Sequence, residues 1–298
     1  LEAAYLARQG GLEAVLIDKD STVPARALVE EFYHVDLLKG GLSAETYLTE
    51  FDLIIPATEN YETLAWLDET ARAYNIPLAL DLRSYNVSRS KTKSNNLFDL
   101  YGIPMPGRWP ECGFPVIVKP SNLSGSIGVR KVTDQSSLAA LMNQICPNLV
   151  IQEFVAGPAY SLEVMADQGW CVPLQVTELD FDSGYDCKRV IAGTGAGQKI
   201  SGVFNDLGKE ISEALSLSGI MDIEVIDTGH GLKVLEIDAR LPSQTPSAVY
   251  HSTGVNIIGL LADYWIEGKL PSEKLLNTAQ RSVIYEHLRF KNRRLEVC

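Results

Sequence analysis

From Leu1 to about Arg83, short apolar runs alternate with stretches whose apolar residues recur at helical spacing. "LEAAYLARQGG" reads as a helix closed by glycines. "EAVLIDKD", "FYHVD", "FDLIIPA" and "PLAL" read as strands. A helical stretch is expected around Pro24–Glu31 and an amphipathic helix over "NYETLAWLDETARAYN". This alternation predicts a parallel sheet with helices on both faces. Such a unit normally opens on a strand, so one strand and its loop are expected to precede Leu1. In parallel sheets ligands meet the carboxyl ends of strands, which is where Asp18, Asp36 and Glu59 fall. Taken singly, each of these reads first as a solvated loop acid.

From Ser88 the pattern changes. Ser88 or Ser90 can cap a helix that runs to Tyr101 and stops at Gly102. "FPVIVKPSNLSGSIGVRKV" reads as strand, glycine-rich turn, strand, followed by a helix over "DQSSLAALMNQI" with Asp134 as its cap. "NLVIQEFV" is a strand that breaks at "AGP". Beyond it "YSLEVMA", "WCVPLQVTEL", "IMDIEVID" and "LKVLEIDA" alternate as antiparallel strands, with a helix over "NDLGKEISEALSL" between the second and third.

Hydrophobic residues make up 46% of the 298, enough for a substantial core. The net charge of −12 argues against a nucleic-acid partner but leaves room for a local basic cleft. Cys112, Cys146, Cys171, Cys187 and Cys298 are scattered, which suits neither zinc nor a disulfide framework and fits a reducing cytoplasm. The most apolar run, "VNIIGLLADYWIEG", carries Asp263 and is too short to span a membrane.

Three features carry chemistry. The loop "SNLSGSIGV" is no P-loop, because a strand follows it, but its glycines let backbone N–H groups approach phosphate oxygens. Alone it is a turn. Lys119 ends an apolar strand, where burial without an anion is costly, and Lys91 sits near a helix N-terminus, which the helix dipole disfavours. Glu236 and Asp238 share a strand face. If the preceding strand pairs so that Asp227 faces Lys233, Glu224 faces Glu236 and three carboxylates meet. Like charges so placed call for a cation, and oxygen-only ligands suit Mg2+. Arg240 follows them, with a guanidinium fork suited to a carboxylate or an oxyanion.

In this order, "SKTKSNNLFDLYGIPMP", "FPVIVKPSNLSGSIGV", "VIQEFVAGP", "YDCKRV", "MDIEVID" and "VLEIDARLPSQTPS" resemble the ATP-grasp superfamily of carboxylate–amine ligases. The resemblance implies an α/β chain, with two α+β subdomains gripping ATP behind a doubly wound parallel-sheet domain. The implied boundaries are 1–85 for the N-terminal domain, 86–155 for the central subdomain and 156–298 for the C-terminal one. It implies ATP phosphates on Lys91 and Lys119 under a flap of Ser124, Gly125 and Ser126, with adenine held by Gln152, Glu153 and Val155. Lys188 would approach the γ-phosphate, Glu224, Glu236 and Asp238 would bind Mg2+, and Arg240 would face the acyl intermediate. Asp18 is placed with the nucleotide, and Glu59, Glu178 and Ser243 with the amino-acid substrates. Ala159 stands where the family places a ribose-binding acid. "EIDARLPSQTPS", "SKTKSNN", "PATEN" and "YDCKRV" resemble the pyrrolysine-biosynthesis branch, whose members join 3-methyl-D-ornithine to L-lysine. D-alanine–D-alanine ligases are the alternative, and a nucleotide-binding module without turnover is the non-enzyme one. Related ligases are often dimers, so a homodimer is expected.

Overall fold

In the computed structural model, residues 1–40, 47–142, 148–272, 281–291 and 293–297 are described. Cys146, Cys298 and the end of the helix expected over "DQSSLAALMNQI" lie outside them. Helix α1 (Glu2–Gln9) precedes β1 (Val15–Asp18), which pairs in parallel with β2 (Glu31–His34). A 3-10 turn over Pro24–Leu28 replaces the longer helical stretch that the pattern suggested, and Glu31 already opens β2. Ile54 and Leu78 make a single parallel bridge. The sense of pairing is the expected one, but the described residues hold two short pieces rather than a four-stranded sheet. Pro56 and Pro77 lack an N–H to extend the second piece.

Helix α2 (Tyr61–Tyr74) begins where the Asn60 side chain accepts from the Thr63 N–H at 2.8 Å, and ends at Asn75 in the left-handed region. A short helix α3 (Leu82–Ser88), capped by Asp81, was not legible as such in the sequence. Helix α4 (Lys91–Tyr101) starts at the Ser90 cap and stops at Gly102, as expected. Strands β3 (Val116–Pro120), β4 (Arg130–Val132) and β5 (Leu149–Glu153) form an antiparallel sheet in the order β4–β3–β5, with α5 (Gln135–Met142) between β4 and β5 in the chain.

The second sheet runs β10–β9–β6–β7–β8–β11. Its strands are β6 (Ala159–Asp167), β7 (Trp170–Phe181), β8 (Cys187–Ala192), β9 (Gly219–Asp227), β10 (Leu232–Asp238) and β11 (Val283–Glu286), all antiparallel. Most of the "YDCKRV" stretch lies in this β8 strand. Helix α6 (Gly195–Leu215) starts earlier than its apolar periodicity suggested. Gly195, Gly197 and Gly202 lower helix propensity there and disguise its first turns. Gly208 lets α6 lie close on the sheet: a Cβ there would meet Val164 Cγ1 at 2.9 Å.

Alternation divides this sheet into two faces. Leu162, Val164, Met221, Ile223, Val225 and Ile237 pack with Phe204, Leu207 and Ile211 of α6 into the main core. On the other face Met165 and Ile220 lie under α1 and α8 (Ile257–Glu267), and Ala159 and Ile226 belong to a separate apolar cluster with Ala248 of α7 (Thr245–Thr253). Polar residues occupy the interval between these two patches.

Glu224 does face Glu236, but Asp227 faces Leu232 rather than Lys233. Leu235 is an extra residue on β10, a β-bulge that shifts the register between Val234 and Glu236. Lys233 reaches Glu153 of β5 at 2.5 Å instead of pairing with Asp227.

Candidate active site

Registers on three adjacent strands place the acids in two rows. Ser161, Glu224 and Glu236 lie abreast on β6, β9 and β10, and Glu163, Asp222 and Asp238 lie abreast one step along. Five carboxylates thus share one face. The sequence reading singled out three of them and missed Asp222 and Glu163. The signal was available, since Asp222 stands two residues before Glu224 and Glu163 is the one acid within "YSLEVMA".

Three cations oppose this charge. Lys91, buried at the start of α4, donates to Glu236 Oε1 at 2.8 Å and to the Leu123 carbonyl at 2.7 Å. Lys119, also buried, donates to the Leu235 carbonyl at 3.2 Å, so the bulge residue supplies its anchor. Burial pulls the Lys119 ammonium down to about 8, against the attraction of Glu236 and Glu224. Arg240 bonds Asp238 Oδ2 at 2.9 Å and also Glu59. The Ala239 N–H donates to Ser88 Oγ at 3.0 Å and fixes the chain just before Arg240.

The acids respond as crowded, enclosed carboxylates do. Enclosure and the charges of Asp222 and Glu236 push Glu224 up to about 8. Enclosure raises Asp238 to about 7, with Arg240 opposing. Asp222 rises to about 6 for the same first reason, moderated by the Ser161 hydroxyl and Arg240. Glu163, fully buried, rises to about 8 through burial and the neighbouring Asp222 charge.

Between the two sheets lies a cleft of about 810 Å³, its open mouth included. Lys91, Lys119, Ser126, Gln152, Glu153, Val155, Glu224 and Glu236 are among its lining, so most of the expected nucleotide and metal residues meet there. Ile117, Val129, Phe154, Phe181 and Ile226 make its apolar walls. The glycine-rich loop closes over it at two points. Ser126 Oγ donates to the Tyr185 carbonyl at 2.5 Å, and Ser124 Oγ donates to Glu59. Gly125 and Ser126 take positive φ at the tip of this loop.

Asp18, Lys188, Glu178 and Ser243 lie outside the cleft lining, while Glu153 and Glu59 at the site are already engaged. Asp18 accepts from the Asp20 N–H in its own turn at 2.8 Å and is not among the cleft lining. Glu153 is held by Lys233 and by the Gly107 N–H at 2.9 Å. Lys188 is paired with Asp186 at 2.6 Å beside the flap contact. Glu59 accepts from Ser124 and Arg240. Glu178 sits opposite Tyr160, on the main-core face, where Thr194 at the α6 cap donates to it, and the structure does not bring it to the acids. Ser243 is exposed in the turn before α7.

Among the described residues no three His, Cys, Asp or Glu side chains already converge at metal-ligand spacing. The chemistry of the set nevertheless fits Mg2+: the donors are all oxygens, Asp238 Oδ1 is buried without a partner among the described residues, and the acids outnumber the cations that oppose them there.

Two antiparallel α+β units that close on a cleft, with lysines on one wall and acids on the other, define an ATP-dependent ligase of the grasping type. Comparison with known proteins gives the same class. The ATP-grasp domain family matches residues 88–244. The 3-methyl-D-ornithine–L-lysine ligase of Methanosarcina acetivorans is 36% identical over 287 residues, covering 96% of this chain and 76% of that one. Its Methanosarcina barkeri counterpart is 34% identical over 289 residues, covering 97% and 76%. The crystal structure of an L-amino acid ligase from Bacillus licheniformis shares the fold, with a TM-score of 0.74 at 20% identity, covering 95% of this chain and 76% of that one. The chain belongs to the ATP-grasp family. Among the described residues no helix is long and apolar enough to cross a membrane.

Proposed function

We propose that this ATP-grasp ligase joins the carboxylate of (3R)-3-methyl-D-ornithine to the ε-amine of L-lysine, with release of ADP and phosphate. The observation that carries the reading is the meeting of Lys91, Lys119 and Arg240 with the acid rows at one end of the cleft. The Methanosarcina relatives supply the substrate pair. The working units are residues 1–85, 86–155 and 156–298, the last two forming the jaws.

Lys91 and Lys119 hold phosphate oxygens of ATP as point charges, and the flap at Ser124, Gly125 and Ser126 excludes water from them. Gln152, Glu153 and Val155 line the adenine end. Glu224, Glu236 and Asp238 hold Mg2+, which when bound offsets charge on the transferring phosphoryl group. The substrate carboxylate attacks the γ-phosphorus, ADP leaves, and an acyl phosphate results. The lysine amine then attacks the acyl carbon and phosphate departs. Arg240 stabilises the oxyanion of that addition. No covalent bond to the protein is required, so the chain acts by positioning and charge.

A coupled ADP-release assay with D-ornithine as acyl donor and L-lysine as acceptor tests the reading. ADP formation that requires both amino acids supports it. Tight ATP binding without ADP from any amino-acid pair defeats it in favour of a binding module. Turnover with D-alanine alone makes the chain a D-alanine–D-alanine-type ligase.

A further inference from the structure

Glu163 has no place in the reaction just described. It is fully buried, the Thr245 hydroxyl is the one side chain that acts on it by hydrogen bonding, and among the described residues no lysine or arginine acts on it. The other four acids each face a cation: Lys91 and Lys119 act on Glu224, Lys91 bonds Glu236, and Arg240 acts on Asp222 and Asp238. The β7 strand bulges at this point, so that Glu163 stands opposite Leu174 and Gln175 together.

Further buried acceptors lie on the facing strand and along the same row. Thr245, at the start of α7, acts on Glu163 by a side-chain hydrogen bond. Gln175 Oε1 on β7 and Asp238 Oδ1 are buried and without a partner among the described residues. Buried acceptors in such number are costly unless a donor reaches them. A primary ammonium brings three N–H donors and a positive charge, which is what this end of the acid row lacks. At the far end of the same row, Arg240 presents its guanidinium beside Asp238, with Nε free. The row spans two strand spacings, about 10 Å. An amine on the carbon next to the carboxylate falls short of that span, whereas one at the end of a three-carbon side chain approaches it.

On the reading of an amino-acid ligase, we propose that Glu163 binds the side-chain ammonium of the acyl-donor amino acid while Arg240 faces its carboxylate. The pairing has a chemical consequence. A free side-chain amine on an ornithine-like acyl phosphate attacks its own acyl carbon. A C–N bond forms, the C–O bond to phosphate breaks, the nitrogen loses a proton, and a six-membered lactam is released. Held as an ammonium against Glu163, the amine has no lone pair to offer, and the activated carboxylate survives until the acceptor amine arrives.

The test compares wild type with Glu163→Gln, using D-ornithine, D-norvaline (no side-chain amine) and 5-aminopentanoate (no α-amine), with ATP and L-lysine. Wild type should prefer D-ornithine to D-norvaline by roughly a hundredfold in kcat/KM. The variant should lose most of that preference, keep its preference over 5-aminopentanoate, and release lactam alongside the amide, so that ADP exceeds amide product. The proposal is overturned if the variant discriminates as wild type does and makes no lactam, if all three substrates fall by one common factor, or if the preference over 5-aminopentanoate is the one lost. Should the variant not fold, calorimetry on wild type decides: D-norvaline binding as tightly as D-ornithine overturns the proposal, and much weaker binding supports it. Absence of ADP from wild type with any amino-acid pair is a different outcome, which refutes the ligase reading itself.

Discussion

The two faces of the six-stranded sheet are made by the same strands in the same alternation, yet they do different work. Under α6 the face is apolar along its length, from Tyr160 through Leu162 and Val164 to Ala166. On the other side apolar residues hold the ends, and the middle carries five acids. A helix that fits closely suffices for the first face. The second needs cations, and they come from outside the sheet: Lys91 from α4, Lys119 from β3 and Arg240 from beyond β10. One face therefore stabilises the domain alone, while the other is complete only when neighbouring elements and ligands close on it.

That contrast is open to direct attack. The largest effect is expected for Glu236→Gln, which should lower kcat roughly a thousandfold with the circular dichroism spectrum unchanged. Wild-type turnover would remove Glu236 from the metal site. Next is Lys119→Met, which should weaken nucleotide binding by about ten- to a hundredfold. Because the ammonium is buried, its thermal midpoint should hold or rise, and calorimetry with scanning fluorimetry checks both. On the apolar face the signs reverse. Gly208→Ala should lower stability by roughly 1–3 kcal/mol through the clash with Val164, while activity per folded molecule, normalised by active-site titration, stays at the wild-type level. A large loss of kcat there would break the division between the faces.

The smallest effect concerns the jaws. The Lys233 ammonium, followed by the Gly107 N–H, holds the Glu153 carboxyl below its ordinary value. A carboxyl depressed in the folded state stabilises it above the unfolded pKa, and that gain fades as pH falls through the folded one. Lys233→Met should therefore cost at most about 1 kcal/mol at neutral pH. In urea denaturation the difference from wild type should vanish in strong acid.

Much of this was legible from alternation. The acid pair at Glu236 and Asp238, the cap at Ser90 and the flap all follow from local pattern. The start of α6 did not, because Gly195, Gly197 and Gly202 weaken the helical signal of its first turns. The bulge at Leu235 was invisible because "LKVLEIDA" reads as a regular strand, and the register inferred for Glu224 and Glu236 was met by a different route. Glu163 stands out as the one acid within "YSLEVMA", but its place in the row depends on pairing with β9 that local pattern does not carry.

The bulge at Leu235 has a consequence for how this hairpin can change over time. Leu232 and Val234 before it face the main core, and Glu236 and Asp238 after it face the acid rows. Removing that single residue would leave a regular strand with both acids still opposite Glu224 and Asp222, but would take away the carbonyl that anchors Lys119. Keeping Leu235 without the bulge would instead turn both acids into the apolar interior. The Thr228–Gly231 turn can gain or lose residues at modest cost, but the span from Val234 to Asp238 cannot. Related chains should therefore vary freely in length at the hairpin tip and not at all three residues further on.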